Sequence, residues 1–572
     1  MPLLTQRVKS QTMSEFATRT DAIAHLTSPG QPYELHEVEL YGESCRAFVQ
    51  APLTLGDLYR DNRSDETFIV YQEERYSFEE TYQNAAKIGH LLVNDYHVQQ
   101  GDRVAISMRN YPEWIMAFTA VTSIGAIAVT LNALWSTEEI EYGLNHSGAK
   151  TLLADQERID RVQSVYQSAG VRVIAVRPEK PLPEDIPVLE DLLSSIPPCD
   201  MPEATVGPND DATILFTSGS TGHPKGAVSC HRNIITALMS WELDQRSAML
   251  VAGIEPPEND YQLATLLAVP LFHATGSHAV YLSSYRSQRK IVSMYRWNAT
   301  VAAELIEQEK IASFVAPAAM TGDLVEVAKQ TNRDLSTLAS VGGGGAPRAP
   351  EQVKGIAATF QKALPNTGWG MTETNAIGAG IGGEDYLAHP GSSGRCSAVL
   401  ELKIIDESGQ QLPANMRGEL LVKGTSVIKG YWNRSDANAE AFSDRWLHTG
   451  DVAYLDEEGY LYIVDRIKDL VIRGGENIGC AEVEAALLSH PAILEASVYA
   501  VPDKRLGEEV GATVFSEDAI AIDTLNDYLA EHIAKFKIPR YIEFASEPLL
   551  RIASGKIDKR RIRETTVARM ES

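Results

Sequence analysis

Up to about residue 395, short apolar runs rich in β-branched residues alternate with stretches whose apolar positions recur every three or four residues. Arg103 to Ser107, Thr151 to Ala154, Val171 to Val176 and Ala212 to Phe216 read as buried strands, and Ser77 to Val93 as an amphipathic helix. That alternation predicts α/β layers. From Ile115 to Trp135 no residue is charged, long enough to span a bilayer. The stretch carries Thr119, Thr122, Ser123, Thr130 and Asn132, and Gly125 divides a helix-like half from a β-rich half. A buried helix followed by a buried strand is therefore expected, with no transmembrane segment.

After about residue 395 the rhythm changes. Strand candidates Glu401 to Ile405, Gly418 to Lys423 and Tyr460 to Val464 follow closely, with turns at Glu407-Ser408-Gly409 and Glu457-Glu458-Gly459. Beyond Arg466 come a Gly-Gly turn at Gly474 and Gly475, a helix from Ala481, strands near Glu495 to Val501 and Gly511 to Phe515, and a helix from Ile522 to Ala534. The expected organisation is an N-terminal extension (1–50), a large α/β domain (51–464) with a β-rich subdomain over 396–464, a charged hinge (465–469), and a small α+β domain (470–572).

The formal charge is 51 minus 77, or −26, so the average surface repels nucleic acid, ATP and CoA alike. Anionic ligands therefore need local donors. The five cysteines, Cys45, Cys199, Cys230, Cys396 and Cys480, are far apart, odd in number and without a CxxC pair, which fits a reducing cytoplasm. No apolar signal-peptide core precedes Glu15.

The segment Thr217-Ser-Gly-Ser-Thr-Gly-His-Pro-Lys-Gly226 follows a β-rich run directly. Its glycines permit tight turns whose N–H groups face phosphate oxygens, its hydroxyls add donors, and Lys225 adds charge. A P-loop needs Gly-Lys-Ser/Thr opening a helix, whereas Lys225 follows Pro224 and precedes Gly226. A second glycine pattern, Gly378-Ala-Gly-Ile-Gly-Gly383, matches GxGxxG but reads as loop, with no strand before it and no helix-forming run before Glu384-Asp385.

The first loop resembles the signature of the adenylate-forming superfamily that contains acyl-CoA synthetases, coumarate-CoA ligases, luciferases and peptide-synthetase adenylation domains. The superfamily's other motifs follow in order: Pro270-Leu-Phe-His-Ala-Thr-Gly276, Gly368-Trp-Gly-Met-Thr-Glu373, Gly418-Glu-Leu to Gly430-Tyr431, His448-Thr-Gly-Asp451, Asp465-Arg-Ile-Lys468, Gly474-Gly-Glu-Asn477 and Ser554-Gly-Lys556. The resemblance spans residues 50 to 565 and implies a large AMP-binding domain with a mobile small domain.

It also implies roles. Thr217, Ser218, Gly219, Ser220, Thr221, Gly222 and Lys225 would cradle phosphates. Gly368, Trp369, Gly370 and Thr372 would meet adenine and phosphate, and Glu373, with Thr217, would hold Mg²⁺. Asp451 would accept the ribose hydroxyls, with Arg466 and Lys468 beside them. Lys556 would be the catalytic lysine that brings carboxylate and α-phosphate together; Leu550-Arg551 departs from the Pro-Arg/Lys that often precedes it. His273 is assigned to the acid-binding pocket, with proton transfer as an alternative role.

Gly474, Gly475 and Asn477 resemble the stretch that admits the pantetheine thiol of coenzyme A. Lys535, Lys537 and Arg540 read equally as a CoA phosphate patch or a solvated helix end. His273, Ser277, Met320, Gly343, Gly344, Gly345 and Ala346 match pocket-lining positions. Four consecutive glycines, Gly342 to Gly345, point to a medium or long acyl chain, although Ser277 lies near where some fatty-acid enzymes carry a gating tryptophan. The expected reaction is ATP plus a small-molecule carboxylic acid plus CoA giving acyl-CoA, AMP and pyrophosphate. An aryl or other acid, and transfer to a carrier protein, are alternatives within the enzyme class; a catalytically silent nucleotide-binding scaffold is another class. A homodimer is the assembly considered.

Overall fold

The computed structural model describes residues 16–217, 224–254, 260–344, 350–360, 362–474, 476–516, 518–552 and 556–571. The buried apolar runs become strands because each lies inside a sheet covered on both faces. Arg103–Ser107, Ile127–Thr130, Thr151–Asp155 and Arg172–Val176 pair in parallel within a seven-stranded sheet that also holds Asp211–Thr217 and Lys225–Cys230. Ser77 opens the helix Phe78–Asn94 through a reciprocal capping box with Glu80.

The uncharged stretch resolves as expected. Pro112–Ser123 is a helix buried along most of its length, Gly125 turns the chain at φ 76°, and Ile127–Thr130 is a buried strand. Among the described residues no helix is long and apolar enough to cross a membrane.

A second sheet, of fourteen strands, carries the parallel set Leu364–Trp369, Ser340–Gly343, Ile311–Ala316, Ala264–Leu267, Lys290–Ser293 and Thr67–Tyr71. Asn110 joins the two sheets: its side chain donates to Val269 O and accepts from Leu271 N, each at 3.0 Å. This fixes the loop that leads to His273.

One expectation is corrected here. Gly378–Gly383 is not a loop. Ala379–Gly382 is a strand, antiparallel to Leu364–Trp369 and to Gly394–Cys396, and Gly383–Ala388 is a short helix. Close approach explains the glycines: a Cβ on Gly378 would lie 2.3 Å from the Trp369 ring, and one on Gly394 would lie 2.1 Å from Gly380. The β-rich stretch after residue 395 continues the second sheet, because Gly394–Cys396 pairs with both Ala379–Gly380 and Tyr460–Leu461. The charged segment 465–469 begins inside a strand, Tyr460–Arg466, and only Ile467–Asp469 forms a separate turn.

Beyond Val471 the chain builds a five-stranded sheet around its own core of Val483, Leu487, Val498, Val510, Leu525 and Leu529. At the other end, the helix Arg19–Leu26 packs on the long helix His231–Ala252, with Arg19 paired to Asp244 at 2.6 Å. The hairpin Leu35–Leu40/Glu43–Phe48 is tied to the second sheet by Glu43–Lys423 at 2.7 Å and by Arg46 donating to Leu400 O at 3.0 Å.

One buried ion pair stabilises the first sheet. Asp155 ends a strand, caps the following helix, and accepts from Arg158 and from the Arg109 backbone; both Asp155 and Arg158 side chains are almost wholly enclosed. Asp155→Ala removes the enclosed one of Arg158's two carboxylate partners, leaving Glu157 at 2.9 Å, together with the helix cap, and is expected to cost about 2 to 3 kcal/mol in the first transition of denaturant unfolding.

Candidate active site

The site is built where strands end. Asp211–Thr217 leads into the phosphate-cradle segment, of which Ser218, Gly219, Ser220, Thr221 and Gly222 lie outside the described residues. Its flanks are described. Thr217 and Lys225 pair in register, Thr217 Oγ1 donates to Lys225 O at 3.4 Å, and Lys225 Nζ sits 5.0 Å from the centre of the Tyr431 ring.

Leu364–Trp369 delivers the turn that carries Gly370, Thr372 and Glu373. Its glycines serve the protein's own backbone: a Cβ on Gly368 would lie 2.8 Å from Ala379 O, and one on Gly370 would lie 2.6 Å from Ala376 C and O. Glu373 is buried, its backbone carbonyl accepts from Ile428 N at 2.9 Å, and its Oε1 accepts from Tyr431 Oη at 2.7 Å. Burial pushes its carboxyl up, against the Tyr431 hydrogen bond and the charges of Arg466 and Lys225. The second oxygen is the one a cation would meet. Among the described residues no group of three His, Cys, Asp or Glu side chains could hold a metal. A hard divalent ion fits Glu373 only with phosphate oxygens supplied by a ligand, which is the usual manner for Mg²⁺.

Asp451 and Arg466 face each other across the strand pair Trp446–Leu455/Tyr460–Arg466. Both carboxylate oxygens are engaged: Arg466 Nε reaches Oδ1 at 2.6 Å, and the Trp369 indole N–H donates to Oδ2 at 2.7 Å. Ribose hydroxyls would use the remaining lone pairs of a carboxylate already fixed in place. Burial raises the Asp451 carboxyl, and Arg466 opposes that.

Lys556, from the far end of the chain, arrives at this group. Its ammonium pKa is lowered by burial and by Arg466, with Asp451 acting the other way, and its charge reaches His273. The half-buried His273 imidazole is pushed down to about 4 by desolvation and by the Lys556 charge, and its enclosed Nε2 has no hydrogen-bond partner among the described residues. A neutral ring at pH 7 suits pocket lining.

Several expectations fall elsewhere. Lys468 lies on the exposed turn Ile467–Asp469. Gly474 makes a left-handed turn at φ 59°, Gly475 is outside the described residues, and Asn477 sits in the strand Glu476–Ile478. Of the basic patch, Lys537 pairs with Glu482 at 2.6 Å, and Arg540 lies 3.7 Å from both Asp503 and Glu509, so carboxylates already offset two of its three charges.

The glycine run is divided. Gly342 is filled by neighbours, since a Cβ there would lie 2.7 Å from Asn366 Oδ1, while Gly344 faces open space. Gly343 ends its strand, Gly345 and Ala346 are outside the described residues, and Met320 is buried on the helix Ala318–Gln330. Ser277 is fully buried, with Oγ 3.0 Å from both His273 O and His278 Nδ1. Sequence reasoning assigned nothing to Tyr431, His278 or Asn375; only Gly430-Tyr431, as part of a motif, was a signal for the first.

A carboxylate held between an indole and a guanidinium, a buried acid bonded to a tyrosine hydroxyl, and a lysine from the end of the chain thus stand in one region. Comparison with known proteins carries this further. Residues 59–432 match the model of the AMP-binding enzyme family, and 482–556 that of the AMP-binding enzyme C-terminal domain. A long-chain-fatty-acid–CoA ligase of Mycobacterium tuberculosis is 30% identical over 82% of this chain and 88% of its own. A 2-succinylbenzoate–CoA ligase of Geobacillus is 33% identical over 87% and 94%. A 4-coumarate–CoA ligase of Vanilla planifolia is 30% identical over 82% and 85%. The solved o-succinylbenzoate CoA synthetase of Bacillus subtilis, with ATP and magnesium ion, superposes with a TM-score of 0.75 at 29% identity, covering 90% of this chain and 99% of that one. The chain belongs to the AMP-binding enzyme family and is an AMP-forming ligase.

Glu373 binds a cation only when ionised, so metal-dependent adenylation should fall as pH drops through its raised pKa. The Tyr431 hydroxyl favours the ionised form. Tyr431→Phe keeps the ring beside Lys225 but removes that donor, and is expected to move the acid limb of acid-dependent pyrophosphate exchange to higher pH and to cost about tenfold in activity at neutral pH. An unmoved acid limb would mean that Glu373 does not govern it.

Proposed function

We propose that this enzyme is an acyl-CoA ligase acting in two steps. ATP and a carboxylate give acyl-AMP and pyrophosphate; the CoA thiol then attacks the acyl carbon, loses its proton, and releases AMP. The observation that carries the first step is the Lys556 ammonium standing within electrostatic reach of Asp451, Arg466 and His273. A cation between a ribose-fixing carboxylate and an acid pocket is placed for the moment when carboxylate and α-phosphate, both anionic, must approach. Mg²⁺, held by Glu373 and the triphosphate, would neutralise phosphate charge. The named activities of the relatives support CoA as the acceptor.

The proposed acid is an apolar one, a medium- or long-chain fatty acid, in a pocket lined by His273, Met320, Gly343 and Gly344. The open space at Gly344 supports this reading. Because the relatives span fatty, succinylbenzoic and coumaric acids, an aryl acid is the second reading. A CoA-dependent pyrophosphate-release screen over straight-chain, branched and aromatic acids decides between them, and release that needs a carrier protein in place of CoA would overturn the acceptor.

The small domain is proposed to leave after adenylation, turning about Ile467–Asp469 so that Gly474 and its neighbours guide CoA. Lys556 should then serve one step only. Lys556→Ala is expected to lower acid-dependent pyrophosphate exchange by about 10² to 10³ while converting supplied acyl-AMP and CoA to thioester at the wild-type rate. Equal damage to both steps would exclude alternation.

A further inference from the structure

The turn that carries Glu373 is strained. Asn375 and Ala376, consecutive and neither of them glycine, have φ of 55° and 64°. Such backbone persists only where its surroundings over-determine it. Here the backbone contributes Thr374 N to Met371 O at 3.0 Å, Asn375 N to Thr372 O at 3.1 Å, and Ala376 N to Met371 O at 2.9 Å. The Asn375 side chain is gripped at both ends. Its Nδ2 donates to Ser426 O at 2.8 Å, which turns Oδ1 toward His278 Nε2, 3.1 Å away.

That pairing sets the imidazole. Nε2 must carry the proton for Asn375, which leaves Nδ1 an acceptor; the Ser277 hydroxyl lies 3.0 Å from it and from His273 O, and its one proton is shared between them. Ser277, His278, Asn375 and Ser426 are all at most 1% exposed, so water does not compete for these bonds. Ser277 and His278 lie on Thr275–Leu282, which is wound as a π-helix directly after His273. Gly276 lets it start there, since a Cβ would lie 2.1 Å from Pro270 O. A π turn is a costly form that recurs at functional sites.

We propose that His278 is a positioning residue: through Asn375 it holds the strained turn Met371–Ala376, and so the Glu373 carboxylate, in register with the π-helix that carries the acid pocket. The pocket helix and the metal-binding turn then move as one body. This rests on Glu373 being the metal carboxylate.

The test uses the full-length enzyme. His278→Phe fills the space without hydrogen bonding; His278→Gln offers an N–H to Asn375 and a carbonyl to Ser277. In His278→Phe, amide exchange across residues 371–376 of the unliganded protein, and the Mg²⁺ concentration for half-maximal pyrophosphate exchange, should each rise about tenfold, while metal-free conversion of supplied acyl-AMP and CoA stays within about twofold. His278→Gln should restore both. If His278→Phe does not fold, Asn375→Gly replaces it, since glycine keeps the left-handed backbone while the side-chain grip is lost; it should reproduce the Mg²⁺ shift. Unchanged exchange and Mg²⁺ dependence in the folded variant, or equal loss in both half-reactions without rescue by glutamine, overturns the proposal. Glu373→Gln with wild-type Mg²⁺ dependence would instead remove the metal assignment, whatever His278 does.

Discussion

Everything at this site depends on keeping one carboxylate, Asp451, ionised where burial disfavours it. The Trp369 indole and the Arg466 guanidinium make this tenable, one on each oxygen. Each partner belongs to a different part of the molecule. Trp369 ends a parallel strand of the large sheet, just ahead of the turn that bears Glu373, and Arg466 is the last strand residue before the chain leaves for its small domain. The carboxylate therefore joins the nucleotide side of the site to the point where the small domain begins. Asp465 continues the link, donating no proton but accepting from Ala481 N at 3.1 Å, at the start of the small domain's first helix.

Elements buried on both faces were legible because burial itself writes the pattern. Arg103–Ser107 and the helix after Ser77 were found at nearly their true limits, since an apolar run and a capping box are local signals. Ala379–Gly382 was not, because glycine is a poor strand former and the reason it is there is distant. Close approaches flank it: a Cβ on Gly378, just before the strand, would meet the Trp369 ring, and one on Gly394, in the adjacent strand, would meet Gly380. The same limit applies to the joining of the sheets, which rests on Gly394–Cys396 pairing with Tyr460–Leu461. No window of sequence contains that pairing.

The motifs of the site were legible as chemistry but less so as geometry. Glu373, Asp451, Arg466 and Lys556 stand in short ordered motifs, and the structure brings them together. The residues that hold them come from unconnected elements: Tyr431 from a two-residue strand, His278 from the π-helix, Asn375 from a left-handed turn. Charge patches mislead for a related reason. Lys537 and Arg540 look like a basic cluster, but their carboxylates, Glu482, Asp503 and Glu509, come from other elements of the small domain.

The electrostatics of the closed site are unbalanced in a useful direction. Lys225, Arg466 and Lys556 converge on two carboxylates, within a chain whose net charge is −26. Arg466 and burial both push the Lys556 ammonium toward its neutral form, so the protein alone disfavours this arrangement of its lysine. An anion placed between the two cations reverses the sign of that contribution, because each cation then gains a partner. Burial and Arg466 disfavour the Lys556 ammonium and Asp451 favours it, so negative charge brought by a ligand would add to what Asp451 already supplies.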